Sequence, residues 1–342
     1  MQRNRRRFGW GARRSTSHPR SRWVGLLGVA WLSAIGVVAD LALSASVSSS
    51  GTLSATADTG PTCGATIQTA VTLTSDLSGC TGNGLRVRTG GSLDCNGHAI
   101  TGTGTAYGVL VDTATGAQVL NCRISQFSRG IRIAAGASNT ASGNELFDNN
   151  NYGLELAGAT TGNQIESNLV HDNHDEGIHV GTGASNNVIA DNQILRSAVE
   201  NLYLLSSSGN TVERNTIAGS QSAAMYIKHT TSSTFTDNLV SDGPVLVRGS
   251  SSGNLFTGNQ LTQPGYGFRF KAYNDTVLGW TFPHDNTVVG GSIPNARVCF
   301  SFAGAYDNQA TQITAGRCTA ATRTTLGRQK STNDVVELIR SS

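Results

Sequence analysis

A repeat constrains this chain more than any other feature. The tripeptides Asn144-Glu145-Leu146, Asn168-Leu169-Val170, Asn192-Gln193-Ile194, Asn215-Thr216-Ile217, Asn238-Leu239-Val240 and Asn259-Gln260-Leu261 align, with steps of 24, 24, 23, 23 and 21 residues between their asparagines. Two further registers repeat within the first. One is Asn163-Gln164-Ile165, Asn187-Val188-Ile189, Asn210-Thr211-Val212 and Asn254-Leu255-Phe256. The other is Gly130-Ile131-Arg132-Ile133, Gly153-Leu154-Glu155-Leu156, Gly177-Ile178-His179-Val180, Asn201-Leu202-Tyr203-Leu204, Ala224-Met225-Tyr226-Ile227 and Gly267-Phe268-Arg269-Phe270. Self-similarity at this period predicts a solenoid, in which each repeat buries its apolar side only against its neighbours.

Within each register apolar and polar residues alternate, the period of a strand, and each register is bounded by Gly, Asn, Ser or Asp. Three short strands in a coil of about 23 residues predict an all-β parallel β-helix. The asparagines have a physical role in that arrangement: amides stacked at a corner can bond to the coils above and below, so Asn144, Asn168, Asn192, Asn215 and Asn238 are expected to form a ladder. The repeat, from about residue 94 to residue 310, resembles the right-handed parallel β-helix repeat family of the pectate-lyase-like superfamily. The run Leu93-Asp94-Cys95-Asn96-Gly97-His98-Ala99-Ile100 is similar to that family's first coil. The resemblance implies a right-handed solenoid and leaves the chemistry open, because one solenoid hosts many activities.

The flanks differ in composition. Residues 1–22 carry eight arginines, and residues 23–39 form an uncharged apolar stretch of 17 residues. Residues 1–45 are therefore expected to be an export signal or an uncleaved membrane anchor, with the solenoid outside in either case and the membrane met only through that segment. Residues 46–62 read as a disordered Ser/Thr/Ala-rich linker, 63–318 as the solenoid and 319–342 as a C-terminal cap or tail, in which residues 334–339 form a final strand or a cover. The formal charge is +3, but setting aside the eight arginines and one acid of residues 1–45 leaves 17 basic and 21 acidic groups, or −4. That balance, with no basic run, excludes nucleic acid as a partner. Six cysteines in an exported chain favour disulfides. Cys95 and Cys122 lie close to one coil apart, Cys63 with Cys80 would staple the first coil, and Cys299 with Cys318 the last; other pairings stay open. The exported chain is expected to act as a monomer.

Residues between the inward apolar ones point outward. For the Gln164 register these columns are bland. For the His179 register the first outward column reads Arg132, Glu155, His179, Tyr203, Tyr226, Leu246 and Arg269, and the second ends in Lys228, Arg248 and Lys271. Aromatic rings and cations thus share one face. A longer link between Phe270 and Asn286, holding Trp280 and His284, falls on the same side, where a loop on a rigid scaffold tends to carry function. Asp172, Asp175 and Glu176 are candidate ligands for Ca²⁺, with no other cofactor implied.

Proteins of the resembled fold include pectate lyases and mannuronan C5-epimerases, which bind extended anionic sugars on the outward strand face. The resemblance implies a polysaccharide partner and abstraction of the C5 proton of a uronic acid: a cation neutralises the carboxylate, a base stands on one side of the ring and an acid on the other. Here His179 is the candidate base, Tyr203 or Tyr226 the candidate donor and Lys228, Arg248 or Arg269 the neutralising cation. Arg132, Glu155, Arg248, Arg269, Lys271, Trp280 and His284 are candidate substrate contacts. The epimerase motif Asp-Pro-His is matched only by Phe282-Pro283-His284, without its first Asp. A non-catalytic extracellular glycan-binding or structural solenoid is the alternative.

Overall fold

Strands of three or four residues cannot stand alone, and those of the coils find their partners one coil away rather than across a hairpin. The computed structural model describes residues 60–340, apart from 264, 327 and 328. The proposed signal or anchor lies outside the described residues, as does nearly all of the proposed linker. Among the described residues no helix is long and apolar enough to cross a membrane.

Each coil runs through three faces. The first face is a 13-stranded sheet containing Arg129–Ala134, Leu154–Ala157, Ile178–Val180, Leu202–Leu205, Met225–Lys228, Val245–Arg248 and Tyr266–Lys271. The second face follows, as in Gln164–Glu166 and Val188–Ala190, and then the third, as in Leu169–His171 and Gln193–Leu195. Pairing between neighbouring coils is parallel throughout these faces, with like positions opposite like. The coils continue past residue 318. Thr319–Leu326 pairs with Val298–Ala303 on the first face, and Val335–Arg340 is a final strand paired with Gln309–Ala315.

Because register is kept, apolar side chains stack on apolar side chains inside. Ile178, Leu202, Met225 and Val245 form one buried column, and Val180, Leu204, Ile227 and Val247 the next. Later coils fill the same columns with rings: Phe268 stacks on Phe300 at 5.4 Å and Phe270 on Phe302 at 5.3 Å. The expected amide ladder is present, and each rung is made in one direction. Asn144 Nδ2 donates to Asn168 Oδ1 at 2.9 Å, and the pattern continues through Asn192, Asn215, Asn238 and Asn259. A second ladder runs through Asn139, Asn163, Asn187 and Asn210, crosses Ser233, and resumes from Asn254 through Asn286 and Asn308 to Asp334. The residue before each rung of the first ladder takes a positive φ, at Gly143, Ser167, Asp191, Arg214, Asp237 and Gly258. Small or Asx residues dominate there because other side chains tolerate that region poorly.

The disulfides are Cys63–Cys80, Cys95–Cys122 and Cys299–Cys318, with no free cysteine among the described residues. The first two staple the N-terminal coils and the third joins two of the last.

Candidate functional site

The register places the outward columns of the first face in order. Arg132 pairs with Glu155, Glu155 with His179, His179 with Tyr203, Tyr203 with Tyr226, Tyr226 with Leu246 and Leu246 with Arg269. Two positions along the strands, Leu205, Lys228, Arg248 and Lys271 form the parallel column.

The aromatic column is continuous. Tyr152 stacks on the His179 ring at 4.6 Å, His179 meets Tyr203 edge-on at 5.2 Å, and Tyr203 stacks on Tyr226 at 4.8 Å. These spacings are set by the coil step of roughly 4.8 Å. Burial raises the pKa of both Tyr203 and Tyr226, so both keep their protons at neutral pH. Arg248 Nη1 donates to the Tyr226 hydroxyl at 3.3 Å.

At the N-terminal end, Arg129 and Arg132 both reach one oxygen of Glu155, at 2.7 and 3.0 Å. Glu155 is 8% exposed, so this carboxylate is neutralised within the fold and Arg132 is committed to it. On the opposite side of the aromatic column the cations are not neutralised. Among the described residues none of Lys228, Arg248, Arg269 and Lys271 has a carboxylate at salt-bridge distance; Asp275 acts on Lys228 from farther off, and the contacts of Lys228, Arg248 and Arg269 are with tyrosines. Burial and the charges of Arg248 and Arg269 depress the Lys271 pKa. Lys228 Nζ lies 3.9 Å from the centre of the Tyr273 ring and the Arg248 guanidinium 4.8 Å from it, while Arg269 covers Tyr266 at 4.6 Å. A cleft of about 440 Å³ opens beside them, lined by Tyr266, Arg269, Lys271, Ser301, Thr322 and Thr324.

The long link is a hairpin, Tyr273–Asp275 paired with Gly279–Thr281. It leans back over the two preceding coils and puts Tyr273 on Lys228 and Arg248. Asp275 Oδ2 lies 3.6 Å from His229 Nε2, and His229 Nδ1 accepts the backbone N–H of Ser250 at 3.2 Å. Sequence reasoning missed His229. Its neighbours in the chain follow the strand pattern, and only the hairpin's return gives it a partner. Arg129 was missed for a related reason, since it precedes the alternating register.

Other candidates fall elsewhere. Trp280 lies on the second strand of the hairpin, 39% exposed, off the first face itself. His284 has left the hairpin. It bridges Ser252 and Tyr306 at the turn into the second face, stacks on Tyr306 at 4.9 Å and bonds Asp285 at 2.7 Å. The structure places the three residues of the expected Ca²⁺ set on two borders. Asp172 turns to Arg196 and His171 at the end of the third face, which pulls its pKa down to about 2. Asp175 and Glu176 lie at the border of the first face. Among the described residues no group of three or more His, Cys, Asp or Glu side chains is placed to hold a metal ion.

Coils in register, two buried amide ladders and a first face with its own side-chain columns define a stacked β-solenoid. The family described as right handed beta helix region matches residues 68–195 and, overlapping, 107–261, more than half of the chain, and the chain belongs to that family. Among solved structures it is similar to a variant of the periplasmic alginate epimerase AlgG, with 14% identity over 68% of this chain and 76% of the other and a TM-score of 0.57. It is similar also to the A-module of a mannuronan C-5 epimerase from Azotobacter vinelandii, with 14% identity, coverage of 83% and 91% and a TM-score of 0.54. A third is the catalytic unit of a GH87 α-1,3-glucanase from Streptomyces thermodiastaticus, with 13% identity, coverage of 82% and 63% and a TM-score of 0.57. At these identities the likeness is one of fold. No curated protein matches the chain.

Proposed function

We propose that the first face binds an extended acidic polysaccharide and acts on it by lyase or C5-epimerase chemistry. The observation that carries this reading is the column of Lys228, Arg248 and Lys271, with Arg269 beside it, without a carboxylate at salt-bridge distance among the described residues and bordering a stack of tyrosines. Sugar rings would lie across the outward edges of the Tyr203 and Tyr226 stack, which give apolar contact at low entropic cost. Uronate carboxylates would meet the cations. With the carboxylate neutralised, the C5 proton becomes acidic enough for a side-chain base, and His179 is that base. Tyr203 or Tyr226, both holding their protons, returns one either to the opposite side of C5 or to the departing glycosidic oxygen. Similar folds whose names are those of alginate and mannuronan epimerases support a uronate substrate. The three disulfides support an exported protein in an oxidising compartment.

A second reading, a glycan-binding solenoid without turnover, is favoured by one observation: His179 is 8% exposed and held between two rings. The test covers both. The purified solenoid is incubated with a panel of polyuronates, with ultraviolet absorbance to detect unsaturated ends and NMR to detect inverted residues. Binding without either product leaves the second reading; no binding to any polyuronate removes both uronate readings.

A further inference from the structure

The corner that follows the first face departs from the repeat twice, in successive coils. Ordinary coils place two residues there: Ser206 and Ser207 lie between paired Leu205 and bridged Ser208, and His229 and Thr230 between Lys228 and Thr231. The next coil has three, Gly249, Ser250 and Ser251, between Arg248 and Ser252. The coil after that carries the hairpin at the same corner, between Lys271 and His284. Both departures converge on His229. Gly249 has a φ of 68°, and a Cβ on it would lie 2.6 to 2.9 Å from three atoms of the His229 ring, so only glycine lets the ring lie across it. The extra residue turns Ser250 toward the ring, as bulges beside functional sites re-aim a side chain. Ser250 Oγ lies 2.9 Å from His229 Nδ1. The Ser250 N–H also donates to Nδ1, which makes that nitrogen an acceptor and the Oγ–H a donor to it. Nε2, with the proton, faces Asp275 Oδ2 of the hairpin at 3.6 Å. The N–H groups of Val277 and Leu278 hold the other oxygen, Oδ1.

We infer that Ser250 as nucleophile and His229 as base, with Asp275 as positioning carboxylate, cleave an acyl ester carried by a glycan hydroxyl. A hydroxyl bonded to a base that a third group holds in place is the arrangement that nucleophilic catalysis needs. Ser250 Oγ would give its proton to His229 Nδ1 and attack the carbonyl carbon. Lys228, whose charge reaches the His229 ring, is the cation available to the oxyanion. The bond to the sugar oxygen then breaks, and that oxygen leaves with the proton from Nδ1. Water attacks the acyl-serine with His229 again as base, which releases a carboxylic acid and restores the serine. Burial and Lys228 keep the ring neutral at neutral pH, the state a base requires. Ser250 is partly exposed at the edge of the cationic column, so a glycan on the first face would bring its substituents to it. Arg248 and Lys271 call for free carboxylates in that glycan, which puts the ester on a hydroxyl and not on a uronate carboxyl.

The chemistry at Ser250 is independent of the glycan reading, the natural substrate rests on it, and the experiment separates them. The full chain is treated with a fluorophosphonate that labels activated serines. It is also assayed with p-nitrophenyl acetate, with an O-acetylated polyuronate and with a methyl-esterified one. The label should map to Ser250, and acetate should be released from the first polymer with no methanol from the second. Ser250→Ala and His229→Gln, whose folding is checked by circular dichroism, should lower p-nitrophenyl acetate hydrolysis at least about a hundredfold. Asp275→Asn should lower kcat at least about tenfold with KM unchanged. Absence of label at Ser250, or hydrolysis that survives Ser250→Ala, overturns the inference, and polyuronate binding then leaves the uronate reading untouched. Release of methanol and not acetate overturns the assignment of the ester. If p-nitrophenyl acetate is cleaved through Ser250 and no polyuronate binds, the serine site stands and the uronate reading falls.

Discussion

His229 Nε2 lies 3.6 Å from Asp275 Oδ2, and this contact fastens the hairpin to the coil that it covers. The Ser250 N–H donates to His229 Nδ1, so the proton of the neutral ring sits on Nε2, toward Asp275. Burial and Lys228 hold the His229 pKa below its ordinary value and outweigh Asp275, which pulls it up, so charging the ring costs more than its ion pair returns. The folded-state value is the lower one, so the contribution to docking is present above the unfolded value of about 6.5 and is lost as pH falls through the folded value.

Acidification should therefore loosen the hairpin before it unfolds the coils. A chain beginning near residue 60 keeps Trp280 as its one tryptophan. Trp280 fluorescence should change at mildly acidic pH while far-ultraviolet dichroism stays constant. His229→Gln should remove the transition; a coincident change of both signals would contradict it.

Asn192 accepts from the backbone and amide of Asn168 and donates to Asn215 and to the Ile165 carbonyl, whereas Gln193 points outward on the third face. Asn192→Leu leaves buried donors and acceptors unmet on two coils and should cost about 3 kcal/mol, against a few tenths for Gln193→Leu. Thermal unfolding of the two variants gives the comparison, and equal melting temperatures would show the ladder to be dispensable.

Tyr226→Ala should weaken polyuronate binding at every salt concentration, because apolar contact is not screened. Lys228→Ala should weaken it at low salt and have little effect at high salt, since screening acts over about 10 Å at 0.1 M. Gln164→Ala and Thr211→Ala, on the second face, should leave binding unchanged. Loss of binding in these controls with retention in Tyr226→Ala and Lys228→Ala would put the ligand on another face.

The second ladder ends on an acid. Asp334 Oδ1 accepts from the Asn308 backbone and amide, while Oδ2 is buried without a partner. Burial raises the Asp334 pKa, so its contribution to stability is present below the unfolded value and is lost as pH rises through the folded one. Asp334→Asn should therefore stabilise the fold by about 1 kcal/mol at neutral pH and have less effect near pH ~3. Denaturant melts at the two pH values check this, and equal gains at both would mean that the carboxyl charge is immaterial.

The coil register was legible because period and alternation are local properties. Ile178, Leu202 and Met225 announce an inward column without any knowledge of the fold. The first ladder was legible as well, since its asparagines repeat at fixed steps. The second ladder was harder to read, because Ser233 interrupts it and Asp334 ends it. Side-chain partnerships across coils were the least visible. Nothing local distinguishes Glu155, tied to two arginines, from Glu176, which has an unmet oxygen. The hairpin's return onto Lys228 and Arg248 depends on backbone direction after Ala272, which no periodic pattern records. His284 illustrates the converse: it was assigned to the loop by counting residues, yet the chain had already rejoined the coil.

Each ladder rung needs only the rung before it and the rung after it. A segment of one full period, such as residues 169–192, could therefore be excised or copied without altering the chemistry at the joint, because Asn168 would then face Asn215 as it now faces Asn192. The solenoid in this sense is indifferent to its own length. Duplication of a coil would lengthen the first face by one increment and leave the interior unchanged, so the reach of the face along its ligand is an inheritable quantity set by counting coils.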